Sequence, residues 1–161
     1  MNKKQNIIQT ATRLFAEQGF EGTTTLQIAN EAVVPEPLIY YHFKGKDELF
    51  SHILETSFKE YFSRLETLER ETRTQFKKIE ALLDFHLRFV EEMPDETTMC
   101  ASTCPAKLKD PEHICTKNIR LQRERLKAYL EDCLEKGIKS GEFNRVPVPE
   151  TVNLLIARKK I

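Results

Sequence analysis

The sequence predicts an all-α protein, and three observations carry that prediction. Apolar residues recur at three- and four-residue spacing along most of the 161 residues, which is the period of helices buried on one face. Only five glycines and seven prolines interrupt this spacing. No stretch alternates apolar and polar residues in the manner of a half-exposed strand. We therefore expect helices throughout and no sheet.

Three short helices are predicted first. The first ends at Gly19, a residue type that favours the left-handed backbone found just after helices. Thr23 or Thr24 provides the N-cap oxygen of the second helix. The third runs from Pro35 to His42, after a turn of two valines. The expected inward residues are Ile7, Ile8, Ala11, Leu14 and Phe15, then Ile28, Ala29 and Ala32, then Leu38 or Ile39.

Two long helices are predicted next. The fourth runs from Lys46 to about Arg70, with Asp47 in a first turn that favours negative charge. The fifth spans about Thr74 to Met93. Their expected inward residues are Leu49, Phe50, Ile53, Leu54, Phe58, Tyr61, Phe62, Leu65 and Leu68, and then Phe76, Ile79, Leu82, Leu83, His86, Leu87 and Val90.

The rest of the chain is less regular. Residues 94–113 contain three prolines and at most one short helix, near Thr98–Cys104. A long helix follows from about Cys115 to Ser140, and Gly141 ends it. A last helix begins at about Glu150 and is expected to continue to Ile161. The inward residues of the long helix are Ile119, Leu126, Leu130, Cys133, Leu134 and Ile138.

Charge and composition exclude several classes of protein. No run approaches the roughly 20 apolar residues of a membrane span, and the polar N-terminus does not read as a secretory signal. We therefore expect a cytoplasmic protein with four reduced cysteines. The net charge is zero, and residues 1–50 hold five basic against six acidic side chains. Attraction to DNA phosphates must then come from a few individually positioned groups, which predicts that the affinity for DNA depends only modestly on salt.

The segment from Gly19 to Phe50 carries most of the functional information. Its two short helices, tight turn and lysine-led third helix have the layout of a helix-turn-helix, whose second helix enters the DNA major groove. The segments ATRLFAEQGFEGTTT, IANEA and LIYYHFKGKDELF resemble the DNA-binding domain of the tetracycline-repressor (TetR) family of bacterial transcriptional regulators. This resemblance covers the first third closely. Beyond it, only the helix order and the KGIKSGEF helix ending are similar.

The resemblance implies a DNA-binding domain at residues 1–46, in which three residues contact phosphates. Thr24 provides hydroxyl and amide donors at a helix N-terminus. Tyr40 donates its phenol hydroxyl to a phosphate, and Lys46 adds a positive charge. These contacts set the register of the protein on DNA without reading the sequence.

Three further residues are expected to read the bases. Glu36, Pro37 and Tyr41 lie on the face of the third helix that enters the groove, and a carboxylate can accept from a cytosine amino group. Where the family usually has glycine this chain has Val33, and prolines replace a serine and a glycine at positions 35 and 37. Because two prolines remove two N–H donors, we expect an unusual operator preference or weak binding. Four of these residues have a structural alternative: Thr24 as an N-cap, Tyr40 and Tyr41 as packing aromatics, and Lys46 as a solvated lysine.

The resemblance also implies that residues 47–161 form a helical effector-binding and dimerisation domain. In the family, an effector bound among helices four to seven moves helix four and thereby changes the spacing of the two recognition helices. The candidate pocket residues are Phe58, Phe62, His86, Phe89, Val90 and Tyr129, which serve equally well as ordinary core. The family's last two helices form its dimer. Most of both is missing here, so we expect a compromised homodimer and exposed apolar faces at Val152, Leu155 and Ile156.

A cysteine cluster offers a second, weaker possibility. Cys100, Cys104, His113 and Cys115 could form a metal site or a redox pair, but their spacing is not that of a standard zinc site. Ordinary thiols are the favoured interpretation, with Cys133 buried, no metal and no cofactor.

We therefore predict a DNA-binding transcriptional regulator, a ligand-responsive repressor acting on a palindromic operator. The alternative is a helical small-molecule-binding or interaction module with weakened DNA binding. An enzyme is not expected, because no nucleophile–base pair or phosphate-binding glycine loop is visible.

Overall fold

The computed structural model describes residues 2–69, 74–101, 104–105 and 110–156. Helices and connecting segments, without any strand, make up these residues, which confirms the all-α prediction. The predicted ends of the fourth helix at Arg70 and of the last helix at Ile161 lie outside the described residues. The helices are α1 (Lys3–Gly22), α2 (Thr25–Glu31), α3 (Glu36–His42), α4 (Lys46–Glu69), α5 (Gln75–Glu92), α6 (Pro94–Ala101), α7 (Ile114–Ser140) and α8 (Val148–Ile156).

The chain divides into two compact units. The first contains residues 1–60 and 90–118, and the second contains residues 61–89 and 119–161. Unit 1 therefore holds α1–α3 together with α6, which packs against α1. The predicted domain boundary between residues 46 and 47 stays a prediction. None of the described helices is long and apolar enough to cross a membrane.

The core of unit 1 is built around three phenylalanines. The rings of Phe15, Phe20 and Phe50 meet with centroids 5.1–5.9 Å apart, two of the pairs edge to face. Of the predicted inward residues of α2 and α3, Ile28, Ala29, Ala32 and Ile39 are buried. This core holds the two short helices in place, since neither is long enough to be stable alone.

Helix α1 differs from its prediction at the C-terminal end. Asn2 caps its N-terminus in a reciprocal pair with Gln5, a feature that the sequence analysis did not identify. Gly19 takes the expected left-handed backbone at φ 75°, but the helix resumes beyond it and ends at Gly22. Gly19 is therefore a kink within α1 and not its end.

The predicted buried face of α5 is wrong at four positions. Phe76, Leu83, Leu87 and Val90 are exposed, although their spacing is that of an inward stripe. The helix carries a second stripe with the same period, and this stripe packs inward because it bears the large aromatic rings. The inward stripe consists of Ile79, Leu82, Phe85, His86 and Phe89.

The end of α7 is fixed by a glycine-based cap. Gly141 has a φ of 78°, and the amide of Phe143 donates to the carbonyl of Gly137 over 3.0 Å. The ring of Phe143 covers Gly137 so closely that a Cβ added there would lie 2.2 Å from it. The carboxylate of Glu142 accepts from the amides of Gln75 and Phe76, and so caps the N-terminus of α5. These two backbone hydrogen bonds hold the pKa of Glu142 below its ordinary value.

The connection between α6 and α7, and helix α8, correct three further expectations. Helix α6 lies at Pro94–Ala101 and not near Thr98–Cys104, so Cys104 falls beyond it. Cys104 and Cys115 form a disulfide with their Cα atoms 6.1 Å apart, so the expectation of reduced thiols is wrong for this pair. In α8, Val152 is buried and not exposed as predicted, while Leu154 and Leu155 are exposed.

Candidate nucleic-acid interface

Helices α2 and α3 are joined by a turn that is closed by backbone hydrogen bonds. The hydroxyl of Thr24 accepts from the amide of Gln27 at 3.1 Å, as an N-cap does, so the predicted cap is confirmed. After α2, the amide of Val34 donates to the carbonyl of Ala29 over 3.0 Å. This places Val33 in the left-handed region at φ 54°, a conformation that a β-branched residue rarely adopts. The family's usual glycine is absent at the position whose backbone favours it.

The surface of α3 is dominated by aromatic and proline side chains. Ile39 is fully buried and anchors the helix, whereas Tyr41 is 81% exposed and Tyr40 is 53% exposed. Pro37 is exposed and Glu36 is half-buried. The ring of Tyr41 touches that of His42 edge to face, with centroids 5.0 Å apart, and its exposed remainder is available to contact a partner.

Glu36 and Tyr40 are linked by a residue that the sequence analysis missed. The hydroxyl of Thr25, the first residue of α2, donates to Oε1 of Glu36 over 2.7 Å. The phenol oxygen of Tyr40 lies 3.2 Å from the same hydroxyl oxygen. Because Thr25 has one hydroxyl proton and gives it to the carboxylate, Tyr40 must be the donor in the second contact. The predicted Tyr40–phosphate hydrogen bond would therefore require this proton to turn away from Thr25.

Lys46, predicted to contact a phosphate, makes internal contacts in the structure. Its Nζ donates to the carbonyls of Phe20 at 2.7 Å and Thr23 at 2.9 Å, and lies 4.3 Å from the centroid of the Phe20 ring. The ammonium thus ties the start of α4 to the C-terminal end of α1, where the helix dipole favours positive charge. One of its three N–H donors is left for a phosphate. Its contact with DNA stays a prediction.

The distribution of charge around α2 and α3 leaves few basic groups for DNA. Arg13 pairs with Glu17 and Glu31, and its pKa is raised, chiefly by the hydrogen bond to Glu31. Lys44, in the turn between α3 and α4, is exposed and was not identified from the sequence. The signal that the sequence offered was its position, two residues beyond the end of α3.

The predicted effector-pocket residues are divided between the two units. Phe58 is fully buried and belongs to unit 1, as does Val90, which is exposed. Phe62, His86, Phe89 and Tyr129 belong to unit 2. There the ring of Tyr61 lies 5.2–5.5 Å from those of Phe62, Phe85 and Phe89.

His86 closes the aromatic group of unit 2 with two hydrogen bonds. Its Nδ1 donates to the carbonyl of Leu82 over 2.7 Å, and its Nε2 lies 3.0 Å from the hydroxyl of Tyr61. A neutral ring satisfies both contacts, since Nε2 can then accept from the tyrosine. Burial lowers the pKa of His86, which keeps the ring neutral. The role of this group in effector binding stays a prediction.

The residues proposed for a metal or redox site are engaged in other contacts. His113 accepts from the amide of Cys115 at Nδ1, and its Nε2 lies 3.3 Å from the hydroxyl of Ser51. Both ring nitrogens are thereby used. Within the described parts of the chain, no group of three His, Cys, Asp or Glu side chains is placed to hold a metal ion.

An N-capped α2, a closed turn and an α3 with an exposed aromatic face together define a helix-turn-helix protein. The profile of the family described as "Bacterial regulatory proteins, tetR family" matches residues 7–53, which cover α1 beyond its first turn, α2, α3 and the start of α4. The nucleoid occlusion factor SlmA of Aliivibrio fischeri is 31% identical over 153 residues, 94% of this chain and 76% of SlmA. The chain belongs to the TetR family of bacterial regulatory proteins.

Two further similarities show how much of the chain resembles other proteins and in what respect. The HTH-type transcriptional regulator AcrR of Shigella flexneri is 41% identical over 73 residues, 45% of this chain. The chain spans only about a third of AcrR's length, because the alignment covers 32% of that protein. The structure of AibR in complex with isovaleryl coenzyme A and operator DNA matches with a TM-score of 0.77 at 17% identity, over 96% of this chain and 82% of AibR. This last match shows a shared fold.

Proposed function

We propose that this protein is a DNA-binding transcriptional regulator that reads an operator with α3. The observation that carries the proposal is the exposed face of α3, with Tyr41 outward and Ile39 buried, inside the segment that the TetR profile matches. Thr24, Glu36, Pro37, Tyr40 and Lys46 complete the proposed DNA-contacting set. A regulator of this kind acts in the cytoplasm, where the bacterial chromosome lies.

The proposal is tested by selecting bound duplexes from a random DNA pool and measuring their affinity by fluorescence anisotropy. Tyr41→Ala should weaken binding about tenfold, which corresponds to about 1.4 kcal/mol, without lowering thermal stability. Phe76→Ala is the matched control, because it removes an exposed aromatic ring from α5 in unit 2. Equal effects of the two variants, or no selected sequence with the wild-type protein, would contradict the proposal.

Lys46 is a poor probe of DNA contact, although the sequence favours it. Its substitution by alanine removes two hydrogen bonds to the carbonyls of Phe20 and Thr23 and so disturbs the junction of α1, α2 and α4. A loss of DNA binding would then report on folding as much as on phosphate contact. Lys44 is exposed, and Lys44→Ala tests the electrostatic contribution without this complication.

The regulator is further proposed to respond to an apolar small molecule and to act as a homodimer on a palindromic operator. The AibR structure holds isovaleryl coenzyme A together with operator DNA, so acyl thioesters are the first class of effector to test. The aromatic group around the buried Tyr61 is the apolar part of unit 2 with which we expect an acyl chain to pack. Isovaleryl coenzyme A should raise the melting temperature and release the selected duplex, while coenzyme A alone should do neither.

Nucleoid occlusion is the second candidate function, and one observation favours it. The similarity to SlmA extends over 153 residues and so includes both units, whereas the match to AcrR covers less than half of the chain. Mapping of bound sites along the chromosome separates the two candidates. A regulator of transcription should occupy a few promoters, while a nucleoid occlusion factor should occupy many sites that are not tied to promoters.

A further inference from the structure

The hydroxyl of Thr25 lies between two side chains of α3 that are one helical turn apart. It donates to Oε1 of Glu36 over 2.7 Å and lies 3.2 Å from the phenol oxygen of Tyr40. The order of donation is therefore Tyr40 to Thr25 to Glu36, because a carboxylate only accepts. This relay, made of Thr25, Tyr40 and Glu36, joins the first residue of α2 to the exposed side of α3.

The relay fixes the Glu36 carboxylate in one orientation. A glutamate on a helix surface ordinarily samples several rotamers, and binding through it loses that freedom. Here Oε1 is engaged by Thr25, and in the described part of the chain no group donates to Oε2. A carboxylate that is already oriented can accept one hydrogen bond from a partner at little entropic cost.

The start of α3 has few other polar groups with which to read a base. Pro35 and Pro37 have no N–H, and the amide of Leu38 already donates to the carbonyl of Pro35 over 2.9 Å. Polar recognition by this turn therefore depends on Glu36, which contributes its side-chain carboxylate as acceptor and its main-chain N–H as donor. In the major groove, carboxylates accept from the exocyclic amino group of cytosine. Adenine is a poorer partner, since its N7 lone pair lies beside its amino group and repels the carboxylate.

We propose that Thr25 is a specificity-determining positioning residue, whose hydroxyl holds the Glu36 carboxylate ready to accept from the amino group of a cytosine in the operator. The inference rests on the proposed function, because it assumes that α3 enters the major groove. To the predicted contact between Glu36 and cytosine it adds Thr25, a residue that acts through Glu36.

The test compares Thr25→Val, which removes the hydroxyl and keeps the shape, with Thr25→Ser, which keeps the hydroxyl. Affinities are measured for the selected operator and for every single-base substitution in one half-site. Thr25→Val should reduce discrimination for cytosine at the α3 position about fivefold to tenfold, and Thr25→Ser should stay within about twofold of wild type. Glu36→Gln should shift the preference toward adenine, which an amide binds through two hydrogen bonds.

Two further measurements separate positioning from a structural role. Thr25→Val should leave the melting temperature unchanged. Its Kd for random duplex should stay within about twofold of the wild-type value. In a Glu36→Ala background, Thr25→Val should cause no further loss of discrimination, because Thr25 acts through Glu36. A uniform loss for every duplex, unchanged discrimination, or failure of Thr25→Ser to behave as wild type would each overturn the inference.

The sequence that the wild-type protein selects distinguishes failure of this inference from failure of the proposed function. A wild-type protein that selects an operator without a cytosine preference at the α3 position overturns the role of Thr25 and Glu36 alone. If the wild-type protein selects no sequence, this result contradicts the proposed function and therefore also this inference.

Discussion

Replacing Val33 by glycine should stabilise the protein, because Val33 holds a strained backbone. It is the one non-glycine residue with a positive φ in the described chain, and its side chain is 86% exposed. The left-handed conformation costs an L-residue about 1–2 kcal/mol, and the exposed side chain returns little through burial. Glycine removes that cost but adds about 0.5–1 kcal/mol of chain entropy in the unfolded state. The expected net gain is about 0.5–1 kcal/mol.

The gain is measured by urea denaturation and thermal melting. For a protein of this size, about 0.5–1 kcal/mol corresponds to a rise of about 1–4 °C in melting temperature. Val146→Gly is the matched control, since Val146 is also an exposed valine but has no positive φ. It should lower stability, because there the entropy of glycine is added without relief of strain. If both variants move in the same direction, the argument from backbone strain is wrong.

The turn itself should survive the Val33→Gly change. Its hydrogen bonds use main-chain atoms, from the amide of Val34 to the carbonyl of Ala29 and from the amide of position 33 to the carbonyl of Asn30. The selected operator sequence should therefore stay the same. Val33→Ala keeps the Cβ but removes the branch, and its stability should lie between that of the wild type and that of Val33→Gly.

Three more predictions follow from the packing and charges. Gly137→Ala should destabilise the protein by about 1–3 kcal/mol despite the better helix propensity of alanine, because the new Cβ would lie 2.2 Å from the Phe143 ring. Gly22→Ala is the control and should not destabilise it, because a Cβ there meets nothing closer than 3.4 Å. Equal urea midpoints for the two variants would contradict this. Burial lowers the pKa of His86 from its ordinary 6.5, so the contribution of His86 to stability should be complete above pH 6.5 and be lost as pH falls through the folded-state pKa. This loss of stability at low pH should be smaller in His86→Gln. An identical pH profile for the variant and the wild type would refute the prediction. Lys44→Ala should reduce the slope of log affinity against log salt by about 1 for each bound protomer and leave base preference unchanged, so a changed preference would show that Lys44 reads bases.

The helices that were predicted best are those with a single apolar stripe and a local stop signal. The cap at Thr24, the buried Ile28 and Ile39, and the left-handed Gly141 all follow from short-range chemistry. For helix α5 the inward positions Ile79, Leu82 and His86 were predicted correctly, but four residues of an exposed stripe were assigned inward as well, because two apolar stripes share its period. Periodicity alone cannot rank them, since the choice depends on which rings the neighbouring helices can accommodate.

The site was predicted less completely than the fold, for a physical reason. The sequence identified which residues of α3 lie at the surface, because exposure follows from helical spacing. It could not identify their partners, which are contributed by other segments of the chain: Thr25 to Glu36, and two backbone carbonyls to Lys46. Backbone acceptors leave no trace in the sequence, so the structural role of Lys46 was not predictable.

These internal contacts explain how a chain with so little basic charge can still be built to read DNA. With Arg13 paired to two glutamates and two donors of Lys46 used on carbonyls, little positive charge is left for non-specific attraction. Affinity must then come mostly from contacts that depend on sequence, since the salt-dependent phosphate contribution is small. A protein with this balance should discriminate well relative to its total affinity. A separate pair of contacts, both made by the Thr25 hydroxyl, holds Glu36 and Tyr40 in fixed positions, which is the condition for reading one base.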